Sequence, residues 1–118
     1  MKLDERHCVP CKAGTPPLSD AEEDKYFKDL PGWRMVRVGT HRLTREIKFS
    51  TYGEGVNFVK AVAEIAEAED HHPDILLSYR RVVIDLLTHS VGGLSVNDFI
   101  MAAKVDALLS PAAVAGPP

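Results

Sequence analysis

Three helix-start signatures punctuate the chain and leave few folds open to it. Ser19 with Glu22, Thr51 with Glu54 and Ser95 with Asp98 each pair a hydroxyl residue with an acid three positions later. In that arrangement the hydroxyl accepts from a free backbone N–H of the first turn, while the acid reaches back to the N–H of the capping residue. Each pair therefore opens a helix, and the segments between them must be something else. Those segments carry period-two alternation of apolar and polar residues, which is the strand pattern. The order reads α-β-β-α-β-β-α. Strand pairs joined by short turns predict one four-stranded antiparallel sheet with the three helices packed on one face, an α+β class in a single domain.

Residues 1–18 hold Pro10, Gly14, Pro16 and Pro17 and read as an irregular leader. The first helix has a narrow apolar stripe, Tyr26, Phe27 and Leu30, and Pro31-Gly32 stops it. Trp33 to Val38 reads as a strand, with Val36 and Val38 on one face and Trp33 and Met35 on the other, and Gly39-Thr40 as a turn. In Leu43 to Phe49, Leu43, Ile47 and Phe49 share a face, and Arg45 is the exception on it. The second helix runs to about Asp70, with Val56, Val59, Val62, Ala63 and Ala66 as its buried stripe, Phe58 and Ile65 at the margin, and Glu64, Glu67 and Glu69 toward the exposed side. Ile75 to Tyr79 and Val82 to Thr88 form a hairpin across Arg80-Arg81, with Val82, Ile84 and Leu86 toward the core and His89 toward the opposite face. Gly92-Gly93 is a loop, and the third helix runs to about Leu109. The domain then spans 19–110, and 111–118 is a small, Pro-rich flexible tail.

Composition excludes several classes. A net charge of −3 with no basic cluster argues against a nucleic-acid surface. No apolar run is long enough to span a membrane, and the charged N-terminus carries no secretory signal, so the default location is cytoplasmic. The two cysteines form Cys8-Val9-Pro10-Cys11 in the leader. Such a pair serves a local structural role, redox chemistry or half of a zinc site, and no second CxxC or CxxH completes four zinc ligands here.

Three of the five histidines gather with two aspartates in Asp70-His71-His72-Pro73, Thr88-His89 and Asp98. Imidazole is the side chain best suited to moving protons near neutrality. Pro73 biases His72 away from helical angles, so the pair belongs at an element boundary, where side chains converge on a small molecule. A helix-capping histidine followed by a proline stop explains one of the pair, not both together with His89. A zinc site is the alternative, but adjacent histidines diverge and the usual helical pair is spaced i, i+4. Acid–base work without a metal fits better. Glu67 lies four residues before His71 on one helix face, and Asp70 and Asp98 are the other carboxylates at hand. Trp33, the single tryptophan, either fills the core or walls a flat heterocycle.

These residues carry a resemblance. Glu67, then His71-His72-Pro73, an aromatic at Tyr79, His89 and Asp98 reproduce the compound motif of the pterin-4a-carbinolamine dehydratases, and the similarity extends from about Pro17 through Leu109. Leu30-Pro31-Gly32-Trp33 and the Cys8-Val9-Pro10-Cys11 leader resemble bacterial members. The resemblance implies dehydration of 4a-hydroxytetrahydrobiopterin to a quinonoid dihydropterin in tetrahydrobiopterin recycling, with no metal and no organic cofactor, in a homo-oligomer, dimer or tetramer. Carried over by motif position, His71, His72 and His89 handle protons, while Glu67, Asp70, Trp33, Thr88 and Asp98 shape or bind the pterin. Ile75-Leu76-Leu77 departs from the family, which often has aromatics there, so the pocket margin or the subunit contacts differ. Relatives of this fold also bind proteins: animal members act as dimerisation cofactors of a homeodomain transcription factor, and carboxysome-linked ones as RuBisCO assembly factors. The resemblance therefore keeps a second reading open, a non-catalytic scaffold for a protein partner.

Overall fold

The computed structural model describes residues 2–109. Helix α1 spans Asp20–Phe27, strand β1 Arg34–Val36, β2 Arg42–Lys48, helix α2 Tyr52–Glu69, strand β3 Asp74–Ser78, β4 Arg81–Leu86 and helix α3 Val96–Leu108. The four strands form one antiparallel sheet in the order β1-β2-β4-β3. The α+β class and the element order expected from the sequence hold. The tail at 111–118 lies outside the described residues.

The first two helix starts form as the sequence dictates. Glu22 N–H donates to Ser19 Oγ at 3.2 Å and Ser19 N–H to Glu22 Oε1 at 2.9 Å. Thr51 and Glu54 repeat the exchange at 3.1 and 3.0 Å. The β2–β4 register sets Leu43 opposite Leu86 and Ile47 opposite Val82, and all four are buried against the helices with Ile84. Phe99, Ile100, Met101, Ala102 and Val105 of α3 close the core from above. Each Val, Leu, Ile, Phe or Met side chain so removed from water contributes about 1.5–3 kcal/mol.

Arg45 sits in that core row opposite Ile84 and is tolerated because Asp106 answers it. Its Nη1 donates to Asp106 Oδ1 at 2.8 Å, and the Trp33 indole N–H donates to the same oxygen at 2.8 Å. Burial pushes the Asp106 carboxyl above its ordinary value, against the pull of Trp33 and Arg45. Gly32 leaves the room this needs, since a Cβ there would collide with the guanidinium.

Several boundaries differ from expectation. Strand β1 stops at Val36, and Val38 stands 87% exposed before a turn at Gly39 with φ +72°. Arg37 draws the chain away there: it donates to Glu23 at 3.0 Å and Asp24 at 2.7 Å. Glu23 is fully buried and also meets His41 Nδ1 at 2.8 Å. On α2 the buried stripe is Gly55, Phe58, Val62 and Ala66, while Val56 and Ala63 face outward. Gly55 sets that rotation, because a Cβ would lie 3.2 Å from Leu77 and the helix approaches the sheet at that point. Strand β4 ends at Leu86, so His89 begins a 3-10 turn, His89–Val91, rather than closing the strand. The leader is mostly irregular but docked. A 3-10 turn at Leu3–Glu5 packs on α3 with Leu3 buried. Glu69, expected on the exposed side, is held beneath the leader with its side chain 8% exposed.

Candidate active site

The site is built where α2 ends. Asp70 takes up the left-handed conformation, φ 52° and ψ 43°, as the C-cap, a position where an aspartate is tolerated better than most side chains. His71 N–H then closes on Ala66 O at 3.2 Å, and Pro73 prevents the helix from resuming. The turn sends the His71 side chain inward, where it is 12% exposed and its Nε2 lies 2.7 Å from Asp98 Oδ1.

Asp98 is fully buried and accepts from three groups. Besides His71, Thr88 Oγ1 donates to Oδ2 at 2.7 Å, and Ser95 N–H to the same oxygen at 2.9 Å. The last contact is the expected α3 cap, so one carboxylate closes the helix and holds the imidazole. The Ser95 hydroxyl turns to Thr88 Oγ1, at 2.8 Å. Thr88 is fixed in turn by its N–H on Gly93 O at 2.8 Å, around a turn with Gly92 at φ +72°. An ionised carboxylate only accepts, so the Nε2 of His71 carries a hydrogen and Nδ1 is the free nitrogen. That nitrogen takes a proton when the ring is neutral and gives one when it is charged.

The other residues singled out from sequence divide into neighbours and strangers. His72 Nε2 lies 3.1 Å from Glu67 Oε1, an exposed pair beside the buried one. His89 is exposed on the turn that follows Thr88. Asp70 and His71 line a cavity of about 480 Å³ together with Ser90 and the leader residues Cys8 and Cys11. Trp33 is not part of this group: it is 4% exposed in the core and bonded to Asp106, eight residues beyond Asp98 or roughly 12 Å along α3. Of its two readings, core residue or pterin wall, the geometry matches the first. Ser90 and Asn97 line the cavity without having been singled out, since a lone serine and a lone asparagine carry no pattern in sequence.

Both cysteines are free thiols. Burial, with the Glu69 and Asp98 charges nearby, pushes the Cys8 thiol up to about 12, which opposes the thiolate that redox or zinc chemistry needs. Among the described residues the only acid–histidine group close enough to share a cation is Asp20, Glu23 and His41. Arg37 already supplies a positive charge to that group through Glu23. No helix among the described residues is long and apolar enough to cross a membrane.

The family model described as pterin 4 alpha carbinolamine dehydratase matches residues 16–108, which take in α1 through α3 with His71, Thr88 and Asp98, but not the leader residues Cys8 and Cys11. The chain belongs to the pterin-4a-carbinolamine dehydratase family. Among its relatives, a protein of Rubrobacter xylanophilus provisionally named pterin-4-alpha-carbinolamine dehydratase is 44% identical over 107 residues, covering 91% of this chain and 98% of that one. One of the same provisional name from Alkaliphilus metalliredigens is 45% identical, covering 88% and 93%. A solved structure of a transcriptional coactivator/pterin dehydratase from Brucella melitensis superposes with a TM-score of 0.75 at 33% identity, over 80% of this chain and 99% of that one. A pterin dehydratase-like protein identified as a RuBisCO assembly factor in the alpha-carboxysome is similar at a TM-score of 0.56 and 27% identity, over 65% and 88%. The proteins to which this chain is similar are thus described by a partner as well as by a reaction.

Proposed function

We propose that the protein dehydrates 4a-hydroxytetrahydrobiopterin to the quinonoid dihydropterin by histidine acid–base catalysis, without metal or organic cofactor, as a step of tetrahydrobiopterin recycling. The observation that carries this reading is the His71–Asp98 pair, an imidazole held at 2.7 Å by a buried carboxylate on the lining of a cavity of ligand size. The hydroxyl on C4a is a poor leaving group until it is protonated. One imidazole gives it a proton, the N5 lone pair expels water, and a second imidazole takes the N5 proton, leaving the quinonoid ring. His71, His72 and His89 are the proton-handling set, with Glu67, Asp70 and Thr88 around the pterin and Asp98 orienting His71. The test is the rate of appearance of quinonoid dihydropterin from a freshly generated 4a-hydroxypterin. Wild-type protein should accelerate it well above buffer, and His71→Ala should remove about 10²–10⁴-fold of that acceleration.

A scaffold role is the second reading, favoured by the apolar groups left outside the core: Tyr52 and Val56 on α2, and Leu76, 52% exposed, on β3. The partner named for the alpha-carboxysome relative makes a protein ligand a reasonable alternative. A wild-type chain that is folded yet leaves the dehydration at its buffer rate would put this reading first.

A further inference from the structure

The leader ahead of α1 is pinned against the site at two points. Asn97, 3% exposed at the start of α3, turns both ends of its amide to Val9. Its Oδ1 accepts from Val9 N–H at 3.0 Å and its Nδ2 donates to Val9 O at 2.6 Å. Nδ2 also lies 3.4 Å from Cys11 Sγ. One residue earlier, Cys8 N–H donates to Glu69 Oε1 at 2.7 Å, while Glu69 Oε2 meets His7 Nδ1 at 2.8 Å. An amide that satisfies both main-chain groups of one residue does what a sheet ladder does, and it fixes a loop that has no ladder of its own. The segment so held closes one side of the cavity whose other side is Asp70, His71 and Ser90.

We propose that residues 8–11 form the outer wall of the substrate pocket, and that Asn97 is the positioning residue that sets this wall. The identity of the ligand rests on the dehydratase reading; the wall itself does not. Asn97 precedes Asp98 in the chain, yet its side chain turns to the leader and bears no titratable group. Loosening it widens the pocket and leaves the His71–Asp98 proton path in place.

Two measurements decide. In the unmodified protein, Cys11 is the thiol on the wall to follow, because partial burial and the Glu69 and Asp98 charges push the equally half-buried Cys8 thiol up to about 12 and keep it protonated. Saturating 7,8-dihydrobiopterin should slow iodoacetamide modification of Cys11, followed by peptide mass spectrometry, by about fivefold or more. An unchanged rate in a protein that turns over the 4a-hydroxypterin overturns the wall, and an unchanged rate in one that does not overturns the dehydratase reading together with the pocket assigned to it. In Asn97→Ala, KM for the 4a-hydroxypterin should rise about tenfold with kcat within about twofold, the pattern of lost uniform binding. Unchanged KM, or equal losses in kcat and folded fraction, overturns the part given to Asn97. Protection of Cys11 in a protein without dehydratase activity would sink the catalytic reading and keep the wall; normal turnover without protection would do the reverse. Should Asn97→Ala fail to fold, Cys11 protection in the wild type still decides on the wall, and Asn97→Asp, which keeps the oxygen that accepts from Val9 N–H and loses the donation to Val9 O, replaces it in the KM comparison.

Discussion

Asp98 accepts three hydrogen bonds, and asparagine in its place would turn an NH₂ group toward at least one donor. If that donor is His71, the imidazole can relieve the clash only by moving its hydrogen to Nδ1, which takes the free lone pair from the pocket. Asp98→Asn should therefore lower kcat about 10²–10⁴-fold in a protein that still folds, as tautomer errors of this kind do. It should also lose about 1–3 kcal/mol of stability, read from the urea midpoint, for the donor left facing a donor. Sequence reasoning placed Asp98 as a helix cap compatible with a site role; the cap spacing was legible because it is local. What was not legible is that the same carboxylate reaches across to the end of α2, a contact over 27 positions that no local pattern encodes. His71→Ala and His89→Ala should together cost less than the product of the two single losses if they serve one reaction, which single-turnover rates on the four proteins would check.

Elements were legible where one short-range rule decides them and obscure where two compete. Capping boxes located all three helix starts, and alternation found the sheet face of Leu43, Ile47, Val82 and Ile84. Apolar content misjudged α2, because Val56 and Ala63 lie outside while Gly55, with no side chain to signal burial, lies inside. Glu69 failed for the opposite reason, since an acid on a helix reads as solvated until a docked loop brings donors to it. Burial raises its carboxyl, but the Cys8 N–H, His7 and Lys104 outweigh this and hold it below the ordinary 4.5. A depressed folded pKa means that this anchor is complete above the unfolded value and is lost as pH falls below 4.5 and through the folded one. Amide exchange at Cys8 should accordingly rise in that window ahead of exchange in the α3 core. Gly32 marks a second element junction. Gly32→Ala should displace Arg45 from Asp106 and cost about 1–3 kcal/mol in thermal or urea unfolding, and little more in an Arg45→Ala background, where the guanidinium is already gone.

At the scale of the molecule, β3 is a sheet edge whose exposed Leu76 and free backbone groups need cover, and a second copy supplies it most economically. Light scattering should find a dimer or tetramer, and Leu76→Lys should shift the population toward smaller species; a wild-type monomer at high concentration would count against self-association. The way α3 begins has a last implication, for anyone wishing to move this chemistry elsewhere. An imidazole oriented by a surface carboxylate can be transplanted as two residues. Here the orienting carboxylate is itself the first-turn cap of a helix, steadied by Thr88 from the preceding turn and met by His71, which follows the left-handed Asp70 at the end of another helix. The smallest graft that keeps the geometry is thus a whole architectural corner: the end of α2, the turn from Thr88 to Ser95 and the start of α3. A host scaffold would have to offer two helix termini at the right separation before the imidazole could be installed.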